Sequence, residues 1–421
     1  LITSARWIVH RMPSHTRTVC LEFFGQARDA IPSIVEIKNY LDTHQQRTGV
    51  MLAGLEHLDE RYLRAVGYTT KSKRGVLPKM VLIGDIVGDD DNAVALATSE
   101  VVRMANARTG EGFVAVNPDA RKKFWVDRAR TAAIAKHTNA FKINEDVVIP
   151  LPRMGEYTDA IERINIELSF KNKLELLDEL YRYLGGELKL AETDDPELNR
   201  LPASEMLGDR QTEALALLLK VRQRWQYLSL HLDQSLRSAL PMLDQLGYAA
   251  MLKEFEQRLV QDSTCRIFDV IQDRSIRISW KQEVRNELRH IFSGAVFSPV
   301  LAECQAIHQR VLRGRVWVAL HMHAGDGNVH TNIPVNSDNY EMLKTATHAV
   351  ERIMNIARNL DGVISGEHGI GITKLEFLSD DETADFRAYK NKVDPQGRFN
   401  KGKLMPGADL RYAYTPSFNL M

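Results

Sequence analysis

Two stretches of this chain, nearly 250 residues apart, are written on one plan. MVLIGDIVGDDDNAVALATSEVVRMANARTGEG, starting at Met80, and VHTNIPVNSDNYEMLKTATHAVERIMNIARNLDGV, starting at Val329, each read as strand, acidic or Asn-bearing turn, long amphipathic helix and Gly-containing stop. A strand followed by a helix with one apolar stripe folds that helix back onto one face of a sheet. Two such units around an antiparallel sheet predict a split βαβ, ferredoxin-like core, and therefore the α+β class. A doubly wound parallel sheet is disfavoured, because no strand runs into a Gly-rich loop able to cradle a phosphate.

The remaining strand signals agree. TVCLEFFG, VMLAGLEHLD and EDVVIPLPRM read as further strands, and helices are expected at Ile34–Leu41, Ala93–Asn106 behind the acidic turn at Asp89–Asn92, Asp119–Lys136 and Glu341–Arg358, the last capped by Ser337 and Asp338. Leu1–His10 reads as a strand closing at Met12-Pro13-Ser14. The chain starts at Leu1 and not at Met, so these residues are expected to be the last strand of a preceding domain. Between Leu174 and Arg313 strand signals fade and Leu recurs at helical spacing. The expected organisation is residues 1–13 as that leftover strand, 14–173 and 314–421 as two parts of one domain, and 174–313 as a helical insertion.

Charge excludes some functions. With 55 basic against 55 acidic side chains the net charge is zero, which lacks the footprint of a nucleic-acid binder or a polybasic membrane anchor. No run of about 18 apolar residues is present, so no transmembrane segment is expected, and the opening lacks a signal-peptide layout. The expected location is the cytoplasm, at most peripheral to the inner membrane. Cys20, Cys265 and Cys304 are too scattered for a disulfide framework or an iron–sulfur cluster and are expected to be small buried hydrophobes.

Chemistry concentrates in HAGDGNVH, His323 to His330. Two imidazoles flank a Gly-Asp-Gly-Asn turn whose glycines allow positive φ, so a hairpin can bring His323 and His330 together as ligands of a divalent metal. A third ligand is offered by SGEHGIG, Ser365 to Gly371, where Glu367 can complete the set and His368 is left as a base. Its glycines, among them Gly366 and Gly369, let the backbone approach a flat ligand closely. His321, beside the motif, reads as a structural residue.

HAGDGNVH, then VISGEHGIG, then DPQGRFNKGKL together resemble the C-terminal half of FAD-linked oxidases of the vanillyl-alcohol-oxidase type, and within them the branch of D-lactate dehydrogenases, the glycolate oxidase flavin subunit and D-2-hydroxyglutarate dehydrogenase. The likeness covers Leu1 to about Phe170 and Val316 to about Pro406, and is nearest to large bacterial proteins that fuse this flavin module to an iron–sulfur module. It implies His323, His330 and Glu367 as metal ligands, with Zn or Mn as the ion, and His368 as catalytic base. It also implies substrate contacts from Arg128 of a Trp-x-x-Arg helix, Lys142 and Asn332, and flavin contacts from Ile2, Thr3 and Asn400. Ala132 stands where the family has a threonine, and Lys401 where proline is usual. An FAD-binding domain, and an iron–sulfur electron acceptor, are the implied partners.

The implied reaction is oxidation of a D-2-hydroxy acid of the lactate, glycolate or 2-hydroxyglutarate type to the 2-oxo acid, with hydride passing to flavin N5. Two rivals stay open: a flavin-free metal hydrolase, and a non-catalytic fragment or assembly module that docks a partner through the insertion.

Overall fold

The computed structural model describes residues 4–9, 11–129, 141–192, 200–371, 374–400 and 404. Seven strands form one antiparallel sheet: β1 (His15–Phe23), β2 (Met51–Asp59), β3 (Met80–Gly88), β4 (Gly110–Ala115), β5 (Phe141–Val148), β6 (Ala319–His323) and β7 (Asn328–Val335). Their order is β4-β1-β3-β2-β6-β7-β5.

The repeated plan becomes two related halves. Helix Pro32–Thr48 links β1 to β2 and helix Asp91–Asn106 links β3 to β4, which with the order β4-β1-β3-β2 completes a split βαβ unit. The second half runs β5, helix Met154–Leu184, β6, β7 and helix Tyr340–Asn359. Its fourth strand has shrunk to a single bridge from Val363 to Val148 of β5. The halves meet edge to edge at β2 and β6, with Glu56 opposite His323, His57 opposite Met322 and Leu58 opposite His321.

Alternation along the strands gives the sheet two unlike faces. One buries Val19, Leu21, Leu82, Ile86, Leu320, Met322, Val329 and Ile333 beneath helices Pro32–Thr48, Asp91–Asn106, Met154–Leu184 and Tyr340–Asn359. The other face presents Glu56, Asp146, His321, His323, His330 and Asn332. The split is a property of register: a slip of one residue would exchange the faces.

The named elements of the insertion among the described residues are all helices, with their own core around Trp225, Phe255, Leu243 and Val284. Helix Met154–Leu184 supplies Ile161 and Ile164 to the sheet core and Phe170 and Leu177 to that second core, so the chain passes into the insertion along an unbroken helix.

Two local expectations need correction. Ser4–Val9 carries no strand, and Trp7 and Ile8 are exposed, because no neighbouring strand among the described residues offers these residues a ladder. Helix Tyr340–Asn359 is capped by Asn339, whose side chain accepts from the Met342 amide, and not by Ser337 or Asp338. Strand β4 went unread because two of its six residues are glycines, which weaken the strand pattern. All three cysteines are buried and unpaired. Among the described residues no helix is long and apolar enough to cross a membrane.

Candidate active site

The hairpin between β6 and β7 places the first two groups. The amides of Asp326 and Gly327 both donate to the His323 carbonyl at 3.1 Å, closing the turn. Gly327 has φ of 75°, and a Cβ there would stand 2.3 Å from the Ile149 carbonyl oxygen, so both conformation and space require glycine. Pairing of His321 with His330 and of His323 with Asn328 puts all three imidazoles on the same face. Centroids of His323 and His330 are 5.3 Å apart, edge to face.

Glu367 joins them from the loop after helix Tyr340–Asn359. Its carboxylate lies 3.0 Å from His330 Nε2 and 3.7 Å from His323 Nε2. One donor atom from each of the three residues lies within 4.8 Å of the others. His330 is buried, and neither ring nitrogen makes a hydrogen bond. Burial pushes its imidazole down to about 4, Glu367 pulls the other way, and His368 and His323 add to the lowering, so the ring is neutral and its lone pair available. A buried imidazole without a partner, facing a second imidazole and a carboxylate, is a donor set that suits a divalent ion. The Asn328 side-chain oxygen beside them is likewise buried and unpartnered.

Asp146 on β5 builds the loop that carries Glu367. Fully buried, it accepts from the amides of Gly366 and Glu367 at 2.6 Å each and of His368 at 3.3 Å, and from Ser365 Oγ at 3.2 Å. Lys374, also buried, donates to the same carboxylate at 2.6 Å. Burial alone would raise the Asp146 carboxyl, but Lys374 and the amides of Glu367 and Gly366 outweigh it and hold the group well below the usual carboxylate range. A Cβ on Gly366 would meet Asn328 Oδ1 at 2.6 Å, so the loop lies flat against the hairpin. His368 is a third exposed, its ring 5.0 Å from that of His330, with Nδ1 3.6 Å from Asp146 and Nε2 3.7 Å from Glu367.

On the other side, Glu56 of β2 binds His323 Nδ1 at 2.7 Å and Arg128 Nε at 2.7 Å. A carboxylate on Nδ1 fixes the ring and turns Nε2 toward Glu367.

Residues 26–172 and 297–404 match the family model "FAD linked oxidases, C-terminal domain". The chain belongs to this family. The break in the match falls within the helical insertion. Among curated proteins, the mitochondrial D-lactate dehydrogenase [cytochrome] of Arabidopsis thaliana is 33% identical over 88 residues, 20% of this chain and 16% of that protein. Glycolate oxidase subunit GlcD of Escherichia coli K12 is 37% identical over 93 residues, 21% of this chain and 19% of that protein. The D-2-hydroxyglutarate dehydrogenase of Xanthomonas citri pv. viticola is 33% identical over 93 residues, 21% of this chain and 20% of that protein. The chain thus spans a fifth or less of the length of these relatives.

Within this FAD-linked oxidase domain the fold gathers His323, His330, Glu367 and His368, and brings Arg128 to the rim through Glu56. Asn332 is fully buried behind them, its amide 2.8 Å from His321 Nδ1 and 3.3 Å from the Ala319 carbonyl. His321 stacks on His330 with centroids 4.6 Å apart. Gly369 has φ of 77° and open space where a Cβ would point. Asn400 is exposed with φ of 46°. Lys142 lies on β5 opposite Pro334, with its side chain outside the described residues, as are Ile2, Thr3, Ala132 and Lys401.

Sequence reasoning missed Glu56, Asp146, Lys374 and Asn328. One signal was present: Glu56 and Asp146 are carboxylates inside strands otherwise read as buried, and a buried acid demands a partner.

Proposed function

We propose that this chain is the substrate- and metal-binding part of an FAD-dependent dehydrogenase that oxidises a D-2-hydroxy acid to the 2-oxo acid, working with an FAD-binding domain. The observation that carries the reading is the triad of His323, His330 and Glu367, with His330 nitrogens that make no hydrogen bond, beside a His368 that is a third exposed. A divalent ion held by that triad would supply positive charge that acidifies a coordinated hydroxyl, and FAD would supply the hydride acceptor. Gly366 and Gly369 give a backbone edge that a flavin ring can approach.

The chain's own residues then have distinct tasks. Arg128, with Nε held by Glu56, keeps its terminal guanidinium nitrogens for the substrate carboxylate, a bidentate task for which a planar cation is suited. Asp146 faces Nδ1 of His368 and favours the proton there, which leaves Nε2 to take the substrate hydroxyl proton. Asn332 positions His330 from behind through its contact with His321. Lactate, glycolate and 2-hydroxyglutarate types all meet these requirements, since carboxylate and hydroxyl on adjacent carbons are what the site addresses.

Anaerobic mixing of the FAD-loaded protein with a panel of D-2-hydroxy acids tests this. Flavin absorbance should bleach with at least one of them, and His368→Ala should slow bleaching by about 10²-fold or more. Equal bleaching by the variant would sink the assignment of the base, and no bleaching with any member would sink the substrate class.

A further inference from the structure

A second cavity lies where the helical insertion returns to the sheet, with a volume of about 760 Å³. Its walls carry Arg61, Arg64, Arg274, Arg313 and Arg315 against a single carboxylate, Glu60. An adjoining cavity of about 220 Å³ shares Arg61 and Arg274, adds Lys173 and Arg277, and has no acid in its lining. Arg315 stands eight residues before His323 on the chain that leads into β6, up to roughly 26 Å away at the rise of a strand. No residue of the histidine cluster lines either cavity, so the two sites are separate.

The acids within reach are already engaged. Glu60 serves Arg64 at 2.8 Å, Arg274 at 2.6 Å and Lys79 at 2.7 Å. Glu162 is taken by Arg61 in a two-pronged pair. Among the described residues no carboxylate lies within ion-pair distance of Arg313, Arg315, Lys173 or Arg277. The surplus cations work against each other: burial and then Arg315 push the Lys173 ammonium down to about 8. Five positive groups around one concavity, in excess of their acids, raise the local concentration of anions. Val316, Trp317 and Met342 supply an apolar wall, which favours an organic anion over a bare inorganic one.

Three separate parts of the chain contribute: Arg61 and Arg64 from the helix that follows β2, Arg274 and Arg277 from the insertion, and Arg313 and Arg315 from the return to β6. We propose that this cavity binds a multiply charged organic anion, bearing phosphate groups or several carboxylates, which ties the insertion to the sheet.

Calorimetric titration of the whole protein at matched ionic strength tests the site, with inorganic pyrophosphate and citrate as probes and acetate as monovalent control. One saturable site per chain is expected for at least one probe, stronger for pyrophosphate if the natural ligand is a phosphate and for citrate if it is a polycarboxylate. Losing one charge-assisted contact in Arg315→Gln or Lys173→Gln should weaken binding about tenfold or more. Arg313→Gln gives a second reading should either variant fold poorly. Divalent-ion binding at the histidine cluster should be unchanged in all three. No saturable binding of either probe, binding no better than acetate, or equal affinity in the variants would overturn the proposal.

Discussion

Glu56 and His323 stand 267 residues apart in the chain and share a hydrogen bond of 2.7 Å across the seam between the two halves of the sheet. The same carboxylate holds Arg128. One side chain therefore orients both the imidazole proposed to bind a metal and the arginine proposed to meet the substrate. Carboxylates behind a ligating histidine typically contribute 10–100-fold to metal affinity. Glu56→Ala is expected to weaken binding of Zn or Mn by about that factor and to raise KM for the hydroxy acid. Metal titration followed by steady-state kinetics checks both, and unchanged metal affinity would show that Glu56 does not position His323.

Asp146 and Lys374 form a fully buried ion pair; removing Lys374 leaves the Asp146 charge in the interior, and removing Asp146 leaves Lys374 only Glu145, 3.3 Å away. Asp146→Ala should cost about 3–5 kcal/mol, and the double variant with Lys374→Ala should lose less than the sum of the singles. Because the folded carboxyl is held below its ordinary value, its stabilisation is present above about pH 4 and is lost as the pH falls further. Urea unfolding of the four proteins at neutral pH, repeated under acid conditions, measures both effects.

His57 gives the opposite kind of pH dependence. It is buried on the helix-covered side of β2, and burial holds its imidazole at about 4, below the ordinary 6.5. The unfolded chain therefore takes up this proton first as the pH falls, and stability is lost progressively between about pH 6.5 and 4. His57→Leu should remove up to roughly 3 kcal/mol of that loss. Denaturation curves for parent and variant across this window decide, and parallel curves would contradict the burial argument.

Trp225 lies at the centre of the insertion's core and is fully buried, its Nε1 donating to Glu283 at 3.1 Å. Trp225→Ala should destabilise that core by about 3–5 kcal/mol. Since the histidine cluster sits on the sheet, its metal affinity should change little. A variant that loses metal binding while remaining folded would reveal coupling between insertion and site.

Much of this was written locally. The strand-turn-helix units follow from the alternation of apolar residues and from acidic caps such as Asp90, which accepts from the Asn92 and Ala93 amides. The histidine turn could be read because its spacing and glycines are short-range features. Lys374 could not be read, because it belongs to no spacing pattern; Asn328 stands within the histidine motif, but what its side chain faces is decided only by the folded chain.

The sequence by itself determined the class of the fold and the two related units, and it pointed to His323, His330 and Glu367 as one cluster, because periodicity, caps and tight turns act over a few residues. Only the tertiary structure decided that β2 and β6 are neighbours, which register they keep, and hence that Glu56 faces His323 while Asp146 underlies Glu367. Strand pairing between distant segments is chosen by burying a whole face of the sheet at once, and no single stretch of the chain carries that information.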